Sequence, residues 1–206
     1  MVLHKRGVLR FTTRRTPTHW SRVDAQEDSR RIQHLFFEEW RLAPPTAIIS
    51  LEGAANDREC CVLPAHEELA LAHGLASAAQ IANAWVIGSA FDAGAAQLIG
   101  RVLRSAGAAG VVSVGVGPWA SVAQREELAA DAEHRVFMYD APRRPHDADG
   151  YDGVVSMETQ PASGGQLSDG TSHLLLTDGG DPDKSSAANA KALRSAVEAL
   201  LGQPAP

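Results

Sequence analysis

The chain has 206 residues, 44% of them hydrophobic, a size and composition that suit one soluble domain with a single core. Its formal net charge is −6 and its pI is about 5.7, which excludes a general nucleic-acid-binding protein because such proteins need clustered Lys and Arg. The sequence contains neither an apolar run of roughly 20 residues, enough to span a bilayer, nor the apolar core of a signal peptide. We therefore expect a cytoplasmic domain that makes no membrane contact of its own.

The beginning of the chain carries a local basic excess, which we interpret as a solvated arm or a partner-facing surface. It comprises Lys5, Arg6, Arg10, Arg14, Arg15, Arg22, Arg30 and Arg31. Within it, Gly7 to Phe11 alternates like a strand, and Ile32 to Trp40 has the pattern of a short helix. We assign residues 1–43 to opening strands and a helix, in one unit with the domain at 44–202, and residues 203–206 to a tail.

Strand–loop–helix units follow. Ala47 to Leu51 predicts a short buried strand that enters the small-residue loop Glu52-Gly53-Ala54. Pro64 to Ala82 has helical spacing. The expected apolar stripe of this helix is Leu71, Leu75, Ala78, Ala79 and Ala82.

The pattern then repeats. Ala84 to Ile87 predicts a second buried strand, which enters the loop Gly88-Ser89-Ala90 and a helix. The buried face of that helix is expected to carry Leu98, Ile99, Val102 and Leu103. Val111 to Val116 predicts a third strand, followed by Gly117-Pro118-Trp119 and a short helix from Ser121 to Glu133.

The last third of the chain begins with a polar stretch at residues 142–170, which predicts a long loop with one strand near Val154 and Val155. His173 to Thr177 then predicts a buried strand with Asp178-Gly179 in its exit loop, and Ala187 to Leu201 a terminal helix. Alternating strands and helices at this spacing predict an α/β, Rossmann-like fold with a mostly parallel sheet and helices on both faces. Ligands in such folds sit outside the carboxyl ends of the strands.

Several chemistries are excluded by missing motifs. The sequence has no G-x-G-x-x-G, no G-x-x-x-x-G-K-[ST] and no G-x-S-x-G. Cys60 and Cys61 are adjacent, which disfavours a disulfide between them and indicates free thiols in a reducing compartment. His66 and His73 have helical spacing without an acidic third ligand, so no metal site is predicted.

The segment from Gly115 to Leu128 is the strongest candidate for ligand chemistry. An indole, Trp119, follows a strand, and Arg125 and Glu126 come early in the next helix. Arg forms bidentate contacts with phosphate and Trp can cover a ring. The alternative is that Trp119 belongs to the core and that Arg125 and Glu126 form a surface pair.

Segments in order along nearly the whole chain resemble the SLOG-type domain that opens melastatin-type transient receptor potential (TRPM) channels. Trp40-Arg41-Leu42 to Pro45, with Ile48 to Ala54, resembles the W-x-L…P…ISVTGG pattern of that family. Ala84 to Gly94 resembles AWIITGG…G, Gly115 to Leu128 resembles GVATWG…RREGL, and Ser172 to Gly179 is similar to HSHFILVDDG. Gly7 to Phe11 followed by Trp20-Ser21-Arg22-Val23 is similar to the first strands of the family.

The resemblance implies a cytoplasmic ligand-sensing domain that in some members binds ADP-ribose or a related nucleotide and couples it to channel gating and calcium signalling. No cofactor is required, and the implied partners are neighbouring channel domains or a second copy of the chain. Relatives elsewhere in the superfamily are sensors of NAD-derived signals or enzymes acting at nucleoside or nucleotide glycosidic bonds. The family's Thr-Gly-Gly is replaced by Glu52-Gly53-Ala54 in one loop and by Gly88-Ser89-Ala90 in another.

Three functions stay open. The first is a non-catalytic module that binds a nucleotide-derived ligand, with Arg125 on a phosphate. Its expected contacts are Glu52, Gly53, Ala54, Gly88, Ser89, Ala90, Gly94, Gly117, Trp119, Arg125, Glu126, Asp178 and Gly179. The second is a nucleoside or nucleotide N-glycosidase or transferase that uses Asp178 or Glu52 as general acid or base. The third is an assembly domain that binds no small ligand.

Overall fold

The computed structural model describes residues 5–12, 16–51, 63–92, 94–108, 110–130, 165–178 and 185–202, together with the backbone of 136–139. The described part of the chain contains seven strands, β1 (Arg6–Phe11), β2 (Thr18–Asp24), β3 (Ala47–Ser50), β4 (Ala84–Ser89), β5 (Ser113–Pro118), β6 (Val136–Tyr139) and β7 (His173–Asp178). The helices are α1 (Ser29–His34), α2 (Ala65–Ile81), α3 (Gly94–Ser105), α4 (Arg125–Ala130) and α5 (Ser186–Leu201). A π-helical turn (Leu35–Glu39) extends α1, and a 3-10 turn (Trp119–Ser121) follows β5.

The strands form one sheet in the order β3-β4-β5-β7-β2-β1-β6. Strands β3, β4, β5, β7 and β2 are parallel to one another, β1 is antiparallel to β2, and β6 is parallel to β1. The carboxyl ends of the five parallel strands therefore lie at one edge, which we call the carboxyl edge; the opposite one is the amino edge. Between β5 and β7 the order of the strands reverses, because β6 lies at the far side of the sheet.

Both faces of the sheet are covered. Side chains alternate along β4: Trp85 and Ile87 join the core beneath α1 and α5, whereas Ala84 and Val86 join the core beneath α2 and α3. On β7, Leu175 faces α5, and Leu174 and Leu176 face the opposite way, toward Trp119. The predicted α/β class, with a mostly parallel sheet between helices, is confirmed.

Most predicted elements are confirmed within a few residues, including the buried face of α3 at Leu98, Ile99, Val102 and Leu103. The predicted stripe of α2 is wrong in part: Ala79 is buried and Leu75 packs against the core, but Leu71, Ala78 and Ala82 are exposed, and the other buried residues are Ala72 and Ala76. Small side chains at this spacing let α2 pack closely on α3 and β4. The prediction that β3 is buried is also wrong, because β3 is an edge strand whose Ala47 and Ser50 are exposed.

Three other differences concern the second half of the chain. The predicted helix from Ser121 to Glu133 begins later, because a 3-10 turn covers Trp119–Ser121 and α4 starts at Arg125; residues 131–133 lie outside the described residues. Strand β6 was not predicted. Residues 165–170, expected to belong to a polar loop, pack into the fold instead, with Leu167 and Ser168 buried. The rest of the predicted loop, the strand near Val154, the two cysteines and the tail at 203–206 lie outside the described residues.

Candidate functional site

The candidate site lies at the carboxyl edge, where the order of the strands reverses. Trp119 follows β5, and Asp178 ends β7. Strand β2 runs beside β7 with Asp24 opposite Asp178, which brings Arg22 to the same edge. The predicted residues Glu52, Gly53, Ala54 and Gly179 lie outside the described residues.

Arg22, Asp178 and Trp119 form a connected cluster there. The Arg22 guanidinium makes an ion pair with the Asp178 carboxylate, and its central carbon lies 5.0 Å from the centroid of the Trp119 ring. Trp119 in turn stacks on Trp20, with ring centroids 5.7 Å apart and planes 16° apart. The guanidinium is thus fixed from two sides, by a carboxylate and by the indole, a cation–π contact worth roughly 0.5–2 kcal/mol.

Trp119 itself is buried, with 7% of its surface exposed, and belongs to the core cluster around Leu174 and Leu176. A buried position of this kind is what the alternative interpretation of Trp119, as a core residue, predicts. The indole therefore contributes to the site chiefly by positioning Arg22.

The turn after β4 uses its backbone N–H groups within the protein. The Ala90 N–H donates to the carbonyl of Val116 at 3.0 Å, and the Asp92 N–H donates to the carbonyl of Gln166 at 2.8 Å. The Phe91 N–H donates to the Ser89 hydroxyl at 3.2 Å. These N–H groups already have acceptors within the protein. A phosphate that approached the Gly88-Ser89-Ala90 turn would therefore have to break these hydrogen bonds before it could accept from the same groups.

Gly117 lies against the same turn. A Cβ at Gly117 would lie 2.8 Å from Cε2 of Phe91 and 2.9 Å from the Ala90 side chain, and a Cβ at Gly165 would lie 2.8 Å from Cδ1 of Phe91. The Phe91 ring thus packs between two glycines. The small residue at Gly117 is explained by this packing without a ligand. Gly94 begins α3 with a φ of +53°, in the left-handed region that favours glycine.

Arg125 and Glu126 are both exposed at the start of α4. The Arg125 side chain folds back and donates to the carbonyl of Ala120, the residue after Trp119. Its guanidinium therefore lies against the loop that carries Trp119, on the solvent side. Arg22 and Arg125 are two cations associated with one strand-end loop.

Arg22 is the member of this cluster that sequence reasoning missed. The sequence places it in a solvated basic arm, but 27% of its side chain is exposed and it contacts Asp178 and Trp119. Its place depends on the pairing of β2 with β7, two segments about 150 residues apart. Trp20 and Arg22 are two residues apart, so on a strand they lie on the same face, and that spacing was the available signal.

In the described ranges of the chain, no three His, Cys, Asp or Glu side chains converge as metal ligands, and His66 and His73 are exposed on α2. No helix in the same ranges has the length and apolarity required to cross a membrane.

Comparisons with known proteins agree on one family. A family model described as SLOG in TRPM, LSDAT_euk, matches residues 18–204. A transient receptor potential channel of Caenorhabditis elegans is 28% identical over 110 residues, covering 52% of this chain and 5% of that protein. Transient receptor potential cation channel subfamily M member 4 of Rattus norvegicus is 29% identical over 128 residues, covering 59% of this chain and 10% of the relative.

A third relative is transient receptor potential cation channel trpm of Drosophila melanogaster, 28% identical over 127 residues, which cover 59% of this chain and 6% of that protein. The alignments thus span a tenth or less of each of these relatives.

Proposed function

Since the chain belongs to the LSDAT family, described as SLOG in TRPM, we propose that it is a non-catalytic domain that binds a nucleotide-derived anion of the ADP-ribose class. The binding site in this proposal is the carboxyl edge of the sheet, around Arg22, Trp119 and Asp178. In a longer protein like its relatives, the domain would act on the cytoplasmic side and pass ligand binding on to channel gating.

The observation that supports this proposal is the cluster of Arg22, Asp178 and Trp119 at the reversal of the strand order. Open parallel sheets bind ligands at such a reversal, outside the carboxyl ends of the strands. A guanidinium there matches the paired oxygens of a phosphate. Arg125, at the start of α4 and hydrogen-bonded to the loop that carries Trp119, provides a second cation for a second phosphate.

Catalysis is not part of the proposal, because Asp178 accepts from Arg22. The proposal thus gives that carboxylate the task of holding a cation, in place of proton transfer to or from a substrate. Glu52, the other candidate acid or base, lies outside the described residues.

A melting experiment tests the proposed function. If ADP-ribose binds the native chain, a concentration of about 100 times its Kd stabilises the folded state by about 2.7 kcal/mol. That free energy raises the Tm by roughly 5–10 °C for a chain of this size. Arg125→Ala removes one charge-assisted contact, weakens binding by about tenfold and so roughly halves that rise at the same ligand concentration.

Arg10→Ala is the matched control. Arg10 is also an exposed arginine, but it lies near the carboxyl end of β1, which is antiparallel to β2, and so at the amino edge. It should leave the full rise in place. No change in Tm with ADP-ribose or any other adenine nucleotide at millimolar concentration would refute the proposed function.

A further inference from the structure

The ion pair between Arg22 and Asp178 is open to solvent. The exposed fraction of the side chain is 27% for Arg22 and 38% for Asp178. Asp178 is the last residue of β7, so its side chain can rotate away without disturbing the strand pairing that precedes it. An anion arriving at the carboxyl edge can therefore reach the guanidinium in the place where the carboxylate now lies.

Arg22 would stay in position without Asp178. Its guanidinium lies over the Trp119 ring, 5.0 Å from the centroid, and Trp119 is held by its stacking on Trp20. Asp24, which ends β2 beside Asp178, is used by a turn, because its Oδ1 accepts from the Gln26 N–H at 2.8 Å. Asp178, which pairs directly with the guanidinium, is a carboxylate that competes with an incoming anion for Arg22.

We propose that Arg22 binds the anionic group of the ligand and that Asp178 is its intramolecular competitor, which holds the guanidinium until the ligand displaces it. This inference rests on the proposed function and assigns a residue to its site. A phosphate group offers two oxygens in the geometry of the carboxylate and carries more negative charge, so it can replace Asp178 in a bidentate contact. The displaced carboxylate then turns to solvent.

The competition has a consequence opposite in sign to that of a ligand-contacting residue. If Asp178 bound the ligand, for instance at a ribose hydroxyl, its replacement would weaken binding. If it competes, Asp178→Asn strengthens binding, because the neutral amide competes less strongly for the guanidinium and no longer repels the anion. Partly exposed ion pairs contribute little to stability, so we expect an affinity gain of about fivefold.

Isothermal titration calorimetry of the native chain and three variants, with ADP-ribose and with inorganic pyrophosphate as probes, tests the inference. Asp178→Asn should tighten binding of ADP-ribose about fivefold. Arg22→Lys retains the charge and loses the bidentate geometry, and should weaken binding about tenfold. Asp169→Asn is the matched control, since Asp169 also pairs with an arginine, Arg104, but precedes β7 at the amino edge; it should bind as the native chain does.

The outcomes separate this inference from the proposed function. If the native chain binds ADP-ribose and Asp178→Asn binds it equally or more weakly, the competition is refuted and the proposed function stands. If Asp178→Asn alone binds, the competition is supported and the native chain is not an ADP-ribose sensor. If neither probe binds any of the four proteins, both are refuted. Melting curves show whether each variant is folded.

Discussion

At the amino edge, the rings of His19 on β2 and His173 on β7 are stacked, with centroids 5.5 Å apart and planes 13° apart. The Trp40 ring lies 4.7 Å from His173. Burial lowers the pKa of His19 from its ordinary value of 6.5. The folded state therefore favours the neutral imidazole.

We predict that this makes stability depend on pH. Since the pKa of His19 is lower in the folded state, the unfolded chain binds more protons, and the contribution is fully present above pH 6.5 and declines as the pH falls below it. His19→Phe keeps a ring in the stack and removes the titration. Thermal melts between about pH 7.5 and 5.5 should show a smaller loss of Tm for the variant.

Glu198 provides the control for that prediction. Burial by itself would raise the pKa of Glu198, but hydrogen bonds with Ser50 and Arg194 and the charge of Arg194 lower it from 4.5. Its contribution to stability is present above that pH and is lost only below it. Glu198→Gln should therefore leave the slope near pH 6 unchanged. An equal slope near pH 6 in His19→Phe and the native chain would show that His19 is not the titrating group.

Residues of the candidate site differed in how far the sequence could place them. Trp119, Arg125 and Asp178 follow predicted strands, so they could be assigned to the carboxyl edge from local pattern alone. Arg22 could not, because its role depends on the pairing of β2 with β7. The burial of Trp119 against Trp20 depends on the same pairing.

Among the elements, α3 makes its closest approach to the segment at 165–170 through two glycines. A Cβ at Gly170 would lie 2.2 Å from the Cα of Gly100, a contact between backbones that no side-chain rotation can relieve. The sequence predicts a polar loop for this segment, because Gly, Ser and Asp dominate it. Here the small residues serve close packing, a use that composition does not distinguish from a turn.

We predict opposite effects of one substitution at two glycines. Gly170→Ala should lower the free energy of unfolding by about 1–3 kcal/mol, because the added methyl group forces α3 and the segment apart. Gly74→Ala, on α2 where a Cβ would meet nothing within 4 Å, should raise it by about 0.5–1 kcal/mol. Urea unfolding measures both. A Gly170→Ala variant as stable as the native chain would mean that this packing is looser than described.

Over the whole molecule, local periodicity predicted the succession of elements, and hence the α/β class. Local periodicity could not predict the order of the strands in the sheet, because the last strand, β7, is inserted between β5 and β2. That insertion creates the reversal at which the candidate site lies. The fold class, and the edge of the sheet at which Trp119 and Asp178 lie, could thus be predicted, whereas the contacts of Arg22 at that edge could not.

The central claim is that a nucleotide-derived anion binds at the carboxyl edge, beside the ends of β2, β5 and β7. Hydrogen exchange of the native chain, measured by mass spectrometry with and without saturating ADP-ribose, tests where that ligand binds. We predict slower exchange in peptides that contain Trp119 to Arg125 and the ends of β2 and β7, and unchanged exchange in residues 75–81 of α2. Unaltered exchange at the carboxyl edge, or protection confined to other parts of the chain, would contradict the account.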